Sequence, residues 1–287
     1  MFHEKLYRND LPPTTAGGGT VDYVGYFEHD YSKDIETREK AGTPPILQTI
    51  KTALAMETKE KIGVDLIEEK EEENKQLFFS SFLNSEKVEI IGNKDPDKRI
   101  PIISFIIKHR YRYLHPRLIT RLLSDLFGIQ SRAGCSCAGP YGHRLLHIDL
   151  KTSDRYRKTI TEGVGGVKPG WARINLHYVF TEKDVKFLIN AINFIAEYGE
   201  KFLFEYKFDI KSADWVNIGY QDKIRNLNVL KKYELKDIDP KKLEKARRKY
   251  FTEAKKVAKG LKVPTKKDFI NNKKEVEELK YFYYCLK

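Results

Sequence analysis

Apolar positions along the chain recur with two periods, and the change from one to the other outlines the fold. A short β-prone piece, Thr20 to Phe27, is bounded by strong punctuation: Pro12-Pro13, Gly17-Gly18-Gly19 and Pro44-Pro45. Ile46, Ile50, Leu54 and Ile62 then follow at helical spacing, and Thr43 is placed as the N-cap of that helix. Charged residues 68–76 predict a long, partly exposed continuation. Val88–Ile91 and Ile100–Ile107 read as strands, and Leu118, Leu122 and Leu126 define a helix over His115–Phe127. After a loop at Gly134–Gly142 come short helices near His143–His147 and Asp154–Glu162, a strand over Ala172–Phe180 and a strong helix over Glu182–Phe202. The sum is an α/β (α+β) unit of about 120 residues, with a helix before it and no internal repeat.

Charge changes the picture of the C-terminus. The net charge of +12 is concentrated in residues 231–287, which hold 19 Lys and Arg against 9 Asp and Glu. Leu243, Ala246, Tyr250, Ala254 and Val257 fall on one face of a helix there, so the segment reads as a basic, lysine-rich extension, largely solvated. A contact with nucleic acid or an acidic protein is the alternative for it, and a non-enzymatic binding module is the corresponding alternative for the whole chain.

No apolar run approaches the roughly 20 residues of a membrane helix, so no membrane partner is expected. Met1–Asn9 has no signal-peptide core, and the expectation is a cytoplasmic protein. Three cysteines, two of them at Cys135 and Cys137, make no disulfide framework. Those two sulfurs with His143 make a poor tetrahedral set, so no metal is expected. A G-x-G-x-x-G fingerprint is absent.

Four segments carry candidate chemistry: Gly17 to Val24, Arg38 to Pro45, Ser131 to Leu146 and Pro169 to Val185. Gly42 and Thr43 precede a helix whose free N–H groups and dipole suit phosphate. Arg173 lies between Trp171 and Ile174 in a predicted strand, where an arginine calls for a buried acid or a ligand carboxylate. Arg132 ends another predicted strand. Arg132, His143 and Arg144 are cations near Cys137 and favour its thiolate.

In this order the four segments resemble the class V aminotransferase and cysteine desulfurase family over roughly residues 5–205. The likeness is strongest to the branch with Cys-Ser-Cys-Ala-Gly-Pro-Tyr-Gly-His, here Cys135 to His143, after a strand like Gly128-Ile129-Gln130. The resemblance implies a fold-type I pyridoxal-phosphate enzyme, usually a homodimer, performing amino-group or sulfur transfer on a small amino acid. It makes residues 1–85 a remnant of the large cofactor domain with its linking helix, 86–208 the small C-terminal domain and 209–287 an extension. It assigns Gly42 and Thr43 to the cofactor phosphate of the neighbouring subunit, Arg173 to the substrate carboxylate, Arg132 to the active-site wall and Cys137 to the sulfur-accepting position. The desulfurase pattern there is Arg-Thr-Gly-His-His-Cys-Ala, against Arg132-Ala133-Gly134-Cys135-Ser136-Cys137-Ala138.

The family's cofactor lysine follows a His or Ser at the end of a strand in the large domain, just before a glycine-rich stretch. The only His-Lys or Lys-His pair, Lys108-His109, sits in a later strand. The expectation is therefore a fragment or one part of a split enzyme, inactive alone and completed by a lysine-bearing chain.

Overall fold

The computed structural model describes residues 3–6, 11–135, 139–220 and 239–285. The chain divides into two compact units, 1–66 and 67–287.

In the first unit, β1 (Val21–Val24) pairs antiparallel with β2 (His29–Tyr31), followed by the one-turn helix α1 (Ile35–Arg38) and the 17-residue α2 (Ile46–Ile62). Thr43 is not the cap of α2: the helix opens at Ile46 with Pro45 as N-cap and no side-chain capping bond. Two consecutive prolines explain the shift, because each disfavours helical backbone in the residue before it. The glycine triplet packs against this turn. Gly42 N–H donates to the Gly18 carbonyl at 2.9 Å, and a Cβ on Gly17 would stand 3.0 Å from that of Ala41.

The helix α3 (Val64–Phe82) starts after Gly63, whose φ of 92° breaks the helical run. Phe78, Phe79 and Phe82 on α3 are buried in the second unit's core. The main sheet is antiparallel in the order β3 (Val88–Ile90), β4 (Ile102–His109), β7 (Trp171–Asn175), β6 (Arg132–Gly134), with β5 (Arg112–Tyr113) also on β4. Alternation sends Ile103, Phe105, Ile107, Ala172 and Ile174 to one face. That face packs on α4 (Pro116–Phe127) and α7 (Glu182–Tyr198).

Local chemistry sets both helices. His115 caps α4 by accepting from Arg117 N–H, Pro116 opens it, and Gly128 in the left-handed region closes it. Thr181 and Asp184 form a capping box on α7. Between them lie α5 (Gly139–Leu145) and α6 (Leu150–Thr161).

Three expectations are corrected here. The strand expected through Phe180 stops at Asn175, because its partner β4 begins at Ile102, after Pro101. Beyond it Phe180 N–H turns back to His177 O. The helix expected to Phe202 is α-helical only to Tyr198 and continues as a 3₁₀ segment, Gly199–Glu205.

The basic extension is the third. The hairpin β8 (Tyr206–Asp209) and β9 (Asp214–Asn217), the helix α8 (Pro240–Gly260) and the short α9 (Lys274–Leu279) all belong to the second unit. Trp215, Ala254, Ala258 and Phe282 are buried in the same core as β4. Tyr113 N–H donates to Tyr281 O at 2.9 Å. Lysines dominated the charge reading, while the aromatic and small residues between them carry the packing. The described residues of the segment cover the core and are not a solvated appendage.

Candidate active site

The two candidate arginines come from adjacent strands. β6 and β7 pair antiparallel with Arg132 opposite Arg173, Ala133 opposite Ala172 and Gly134 opposite Trp171. Directly opposed residues share a face, so both guanidinium stems leave the sheet on the side away from α4 and α7. Part of that side is covered: Trp171, Ile91 and Ile106 form a small cluster with Leu145 and Leu146 beside α5. Ser104, opposite Arg173 on β4, is half-buried. Arg173 is half-buried and Arg132 exposed, and neither side chain is paired with another described residue.

Two like charges placed opposite each other across a ladder repel. No carboxylate lies between them among the described residues, and planar guanidinium forks have the geometry to take one.

Arg132 also lines a cavity of about 220 Å³ with Cys135, Lys168, Arg117 and Tyr281. Arg117 is engaged by Asp214 at 2.9 Å, which leaves Arg132 and Lys168 as the cavity's cations without an acidic partner among the described residues. Arg173 does not line this cavity. Cys135 is half-buried and carries no disulfide. The close approach of two backbones forms the wall: a Cβ on Gly170 would lie 2.7 Å from the Gly134 carbonyl carbon. Lys168 went unnoticed in the sequence, although the glycines 134 and 170 beside the two arginine strands were the available signal.

Cys137 lies outside the described residues. His143 Nδ1 is taken by Gly139 O at 2.7 Å within α5. No group of three or more metal-ligating side chains gathers among the described residues. No helix among them is long and apolar enough to cross a membrane.

In the first unit, Gly42 (φ 77°) and Thr43 are exposed, and an added Cβ at Gly42 meets nothing within 4 Å. The Thr43 hydroxyl is not spent on capping. The α2 terminus itself offers fewer donors than expected, since Pro44 and Pro45 have no N–H and Ile46 N–H bonds to Pro44 O at 2.8 Å.

The guanidinium groups have the chemistry for a carboxylate, and three lysines are held by neighbouring groups. The buried Lys75 donates to the carbonyls of Pro96 and Arg99 and pairs with Glu72, while Lys280 is held by Ile270 O and Glu277. Lys108 is paired with Glu89 at 3.3 Å, and neighbouring His109 with Glu200 at 3.4 Å. These amines are engaged, whereas Lys168 lines the cavity of Arg132 without an acidic partner among the described residues.

Comparison with known proteins agrees with this frame. The family description "Aminotransferase class-V" matches residues 2–188. A protein described as "Probable cysteine desulfurase" in Staphylococcus aureus (strain COL) is 26% identical over 208 residues, covering 72% of this chain and 42% of that protein. One of the same description in Halalkalibacterium halodurans is 30% identical over 140 residues, covering 49% and 32%. The chain thus spans about two fifths or less of those relatives. Among solved structures, the apo cysteine desulfurase from Thermococcus onnurineus NA1 aligns with a TM-score of 0.51 at 24% identity, over 64% of this chain and 39% of that one, which shows a shared fold. The chain belongs to the class-V aminotransferase family.

Proposed function

We propose that this chain supplies the substrate-carboxylate wall of a pyridoxal-phosphate enzyme that performs amino-group or sulfur transfer on a small amino acid. Arg173 takes the carboxylate, Arg132 completes the wall, and Gly42-Thr43 serves the cofactor phosphate of a neighbouring subunit. The lysine and the acid for the pyridine nitrogen belong to a large domain, carried on further sequence or on a second polypeptide. Cys137, and the sulfur transfer it would support, stays within this proposal. The assembly is a dimer in the cytoplasm, and the 287 residues alone are inactive. The observation that carries the reading is the direct opposition of Arg132 and Arg173 without an acidic partner among the described residues.

The test is an absorbance scan of the purified chain with added pyridoxal phosphate, then borohydride reduction and peptide mass analysis. The expected result is no internal-aldimine band and no lysine labelled above the others. A single lysine labelled stoichiometrically would show that the chain anchors the cofactor itself and would overturn the split reading.

A further inference from the structure

The helix α8 segregates its charges more completely than a solvated helix needs. Its inner face is fixed to the second unit: Ala254 and Ala258 are buried, and Phe251 packs edge-on against Phe187 and tilted on Phe127, with ring centroids 5.6 and 4.8 Å away. Arg247 reaches Asp184 at the start of α7, and Lys201 donates to Ala258 O at 3.1 Å. At about 100° per residue, the outer arc facing away from Ala254 carries Lys245, Arg248, Lys249, Lys255, Lys256 and Lys259, all exposed. Thr252 interrupts the arc in its middle, and Lys241 and Lys242 extend it into the first turn. The one exposed acid of the helix, Glu253, sits at the margin, 3.6 Å from Lys249.

This arrangement costs helix stability. Lys241/Lys245, Lys245/Lys249 and Lys255/Lys259 are like-charge pairs at i,i+4, each unfavourable by about 0.2–0.5 kcal/mol. An anionic partner along the arc reverses the sign of that contribution.

We propose that the outer arc of α8 binds the phosphate backbone of nucleic acid without reading its sequence. Charge complementarity selects this occupant over two others. A membrane surface requires an amphipathic helix to offer its apolar face, and the apolar face of α8 is spent on α4 and α7. The half-exposed Tyr250 and Val257 lie on its flank, more than about 100° round the helix from Lys245. A protein interface requires an apolar or aromatic centre and is depleted in lysine, whereas the arc is nearly all lysine. A phosphate backbone requires only point charges on flexible stems, which lysines provide. The 21 residues of α8 extend about 31 Å, enough to follow roughly nine phosphates of one strand. The inference does not rest on the enzymatic reading.

The experiment is fluorescence anisotropy of a labelled mixed-sequence duplex of about 24 base pairs with the full chain, between about 50 and 200 mM KCl. The expected plot of log affinity against log salt has a slope of about −4 to −5, from the release of counterions at about five phosphates. The triple variant Lys245→Glu, Lys249→Glu, Lys256→Glu should bind at least about 30-fold more weakly at the lower salt and lose about 3 from that slope. The control Lys151→Glu, Lys158→Glu, Lys207→Glu, on exposed lysines outside α8, should stay within about threefold of wild type. Circular dichroism establishes that both variants are folded; glutamate keeps helix propensity. The proposal is overturned by an arc variant that binds like wild type, by an equal loss in the control, or by poly-L-glutamate or phosphatidylserine vesicles binding as tightly as the duplex.

Discussion

Arg132 and Arg173 are directly opposed residues on β6 and β7, emerging on the same face of the sheet with no acidic side chain between them among the described residues. The same face carries Trp171 two residues before Arg173, buried beneath α5. The sheet thus keeps a packed half and a charged half.

Phe282 tests whether the C-terminal segment is core. Its ring is fully buried, with centroids 4.5 Å from His115 and 5.1 Å from Phe208. Phe282→Ala should lower the unfolding free energy by about 3–5 kcal/mol, measured by urea denaturation of the chain. A loss within about 0.5 kcal/mol is what a solvated tail would give.

His115 makes stability depend on pH. Burial among Phe208, Trp215, Tyr281 and Phe282 pushes its pKa down to about 3. Nδ1 accepts from Arg117 N–H while Nε2 donates to Gly166 O, a pattern only the neutral ring can make. Above an unfolded pKa of about 6.5 both states are neutral and the full stability is present. As pH falls below that, the unfolded chain takes up a proton that the folded one refuses, and stability drops until about pH 3, by up to about 4–5 kcal/mol. The pKa of His109 is also lowered by burial and adds to the effect with the same sign. His115→Asn, which keeps a capping acceptor, should flatten the chemical-denaturation profile between about pH 4 and 6.5.

Asp184 joins two helices. It accepts from Thr181 N–H at 2.7 Å and from the Thr181 hydroxyl at 2.6 Å, and it pairs with Arg247 of α8, whose guanidinium lies 4.9 Å from the Phe187 ring centre. Burial raises the carboxyl's pKa, but the bonds from Thr181 and Arg247 outweigh it and the net shift is downward. Its contribution is present above the unfolded value of about 3.9 and disappears as pH falls through the lower folded one. A double-mutant cycle of Asp184→Asn and Arg247→Ala should give a coupling of about 1–3 kcal/mol near neutral pH, and less once pH falls through the lowered folded pKa.

Much of this was legible in the sequence where information is local. The alternation of β4 and the leucine stripe of α4 declare themselves because each buries one face. Arg173 stood out as a charge inside an apolar strand. The register that sets Arg132 opposite Arg173 was not legible, because it depends on pairing between residues about 40 positions apart. The cavity of Cys135 and Lys168 depends on the same pairing. Thr43 misled because the two prolines after it suit a helix's first turn in general, yet each also disfavours helical backbone in the residue before it. The C-terminal segment misled because charge was counted there before Trp215, Phe282 and Tyr284 were recognised as packing groups.

The most direct test of the arginine wall is calorimetric titration of the chain with phosphopyridoxyl-L-alanine, a stable amine that carries both phosphate and carboxylate. A phosphopyridoxyl-methylamine control lacks the carboxylate. The account predicts that Arg173→Ala and Arg132→Ala each weaken binding of the alanine adduct by at least about tenfold and leave the control unchanged, with Arg173→Lys recovering part of the loss. Equal binding of the alanine adduct by wild type and both variants would contradict it.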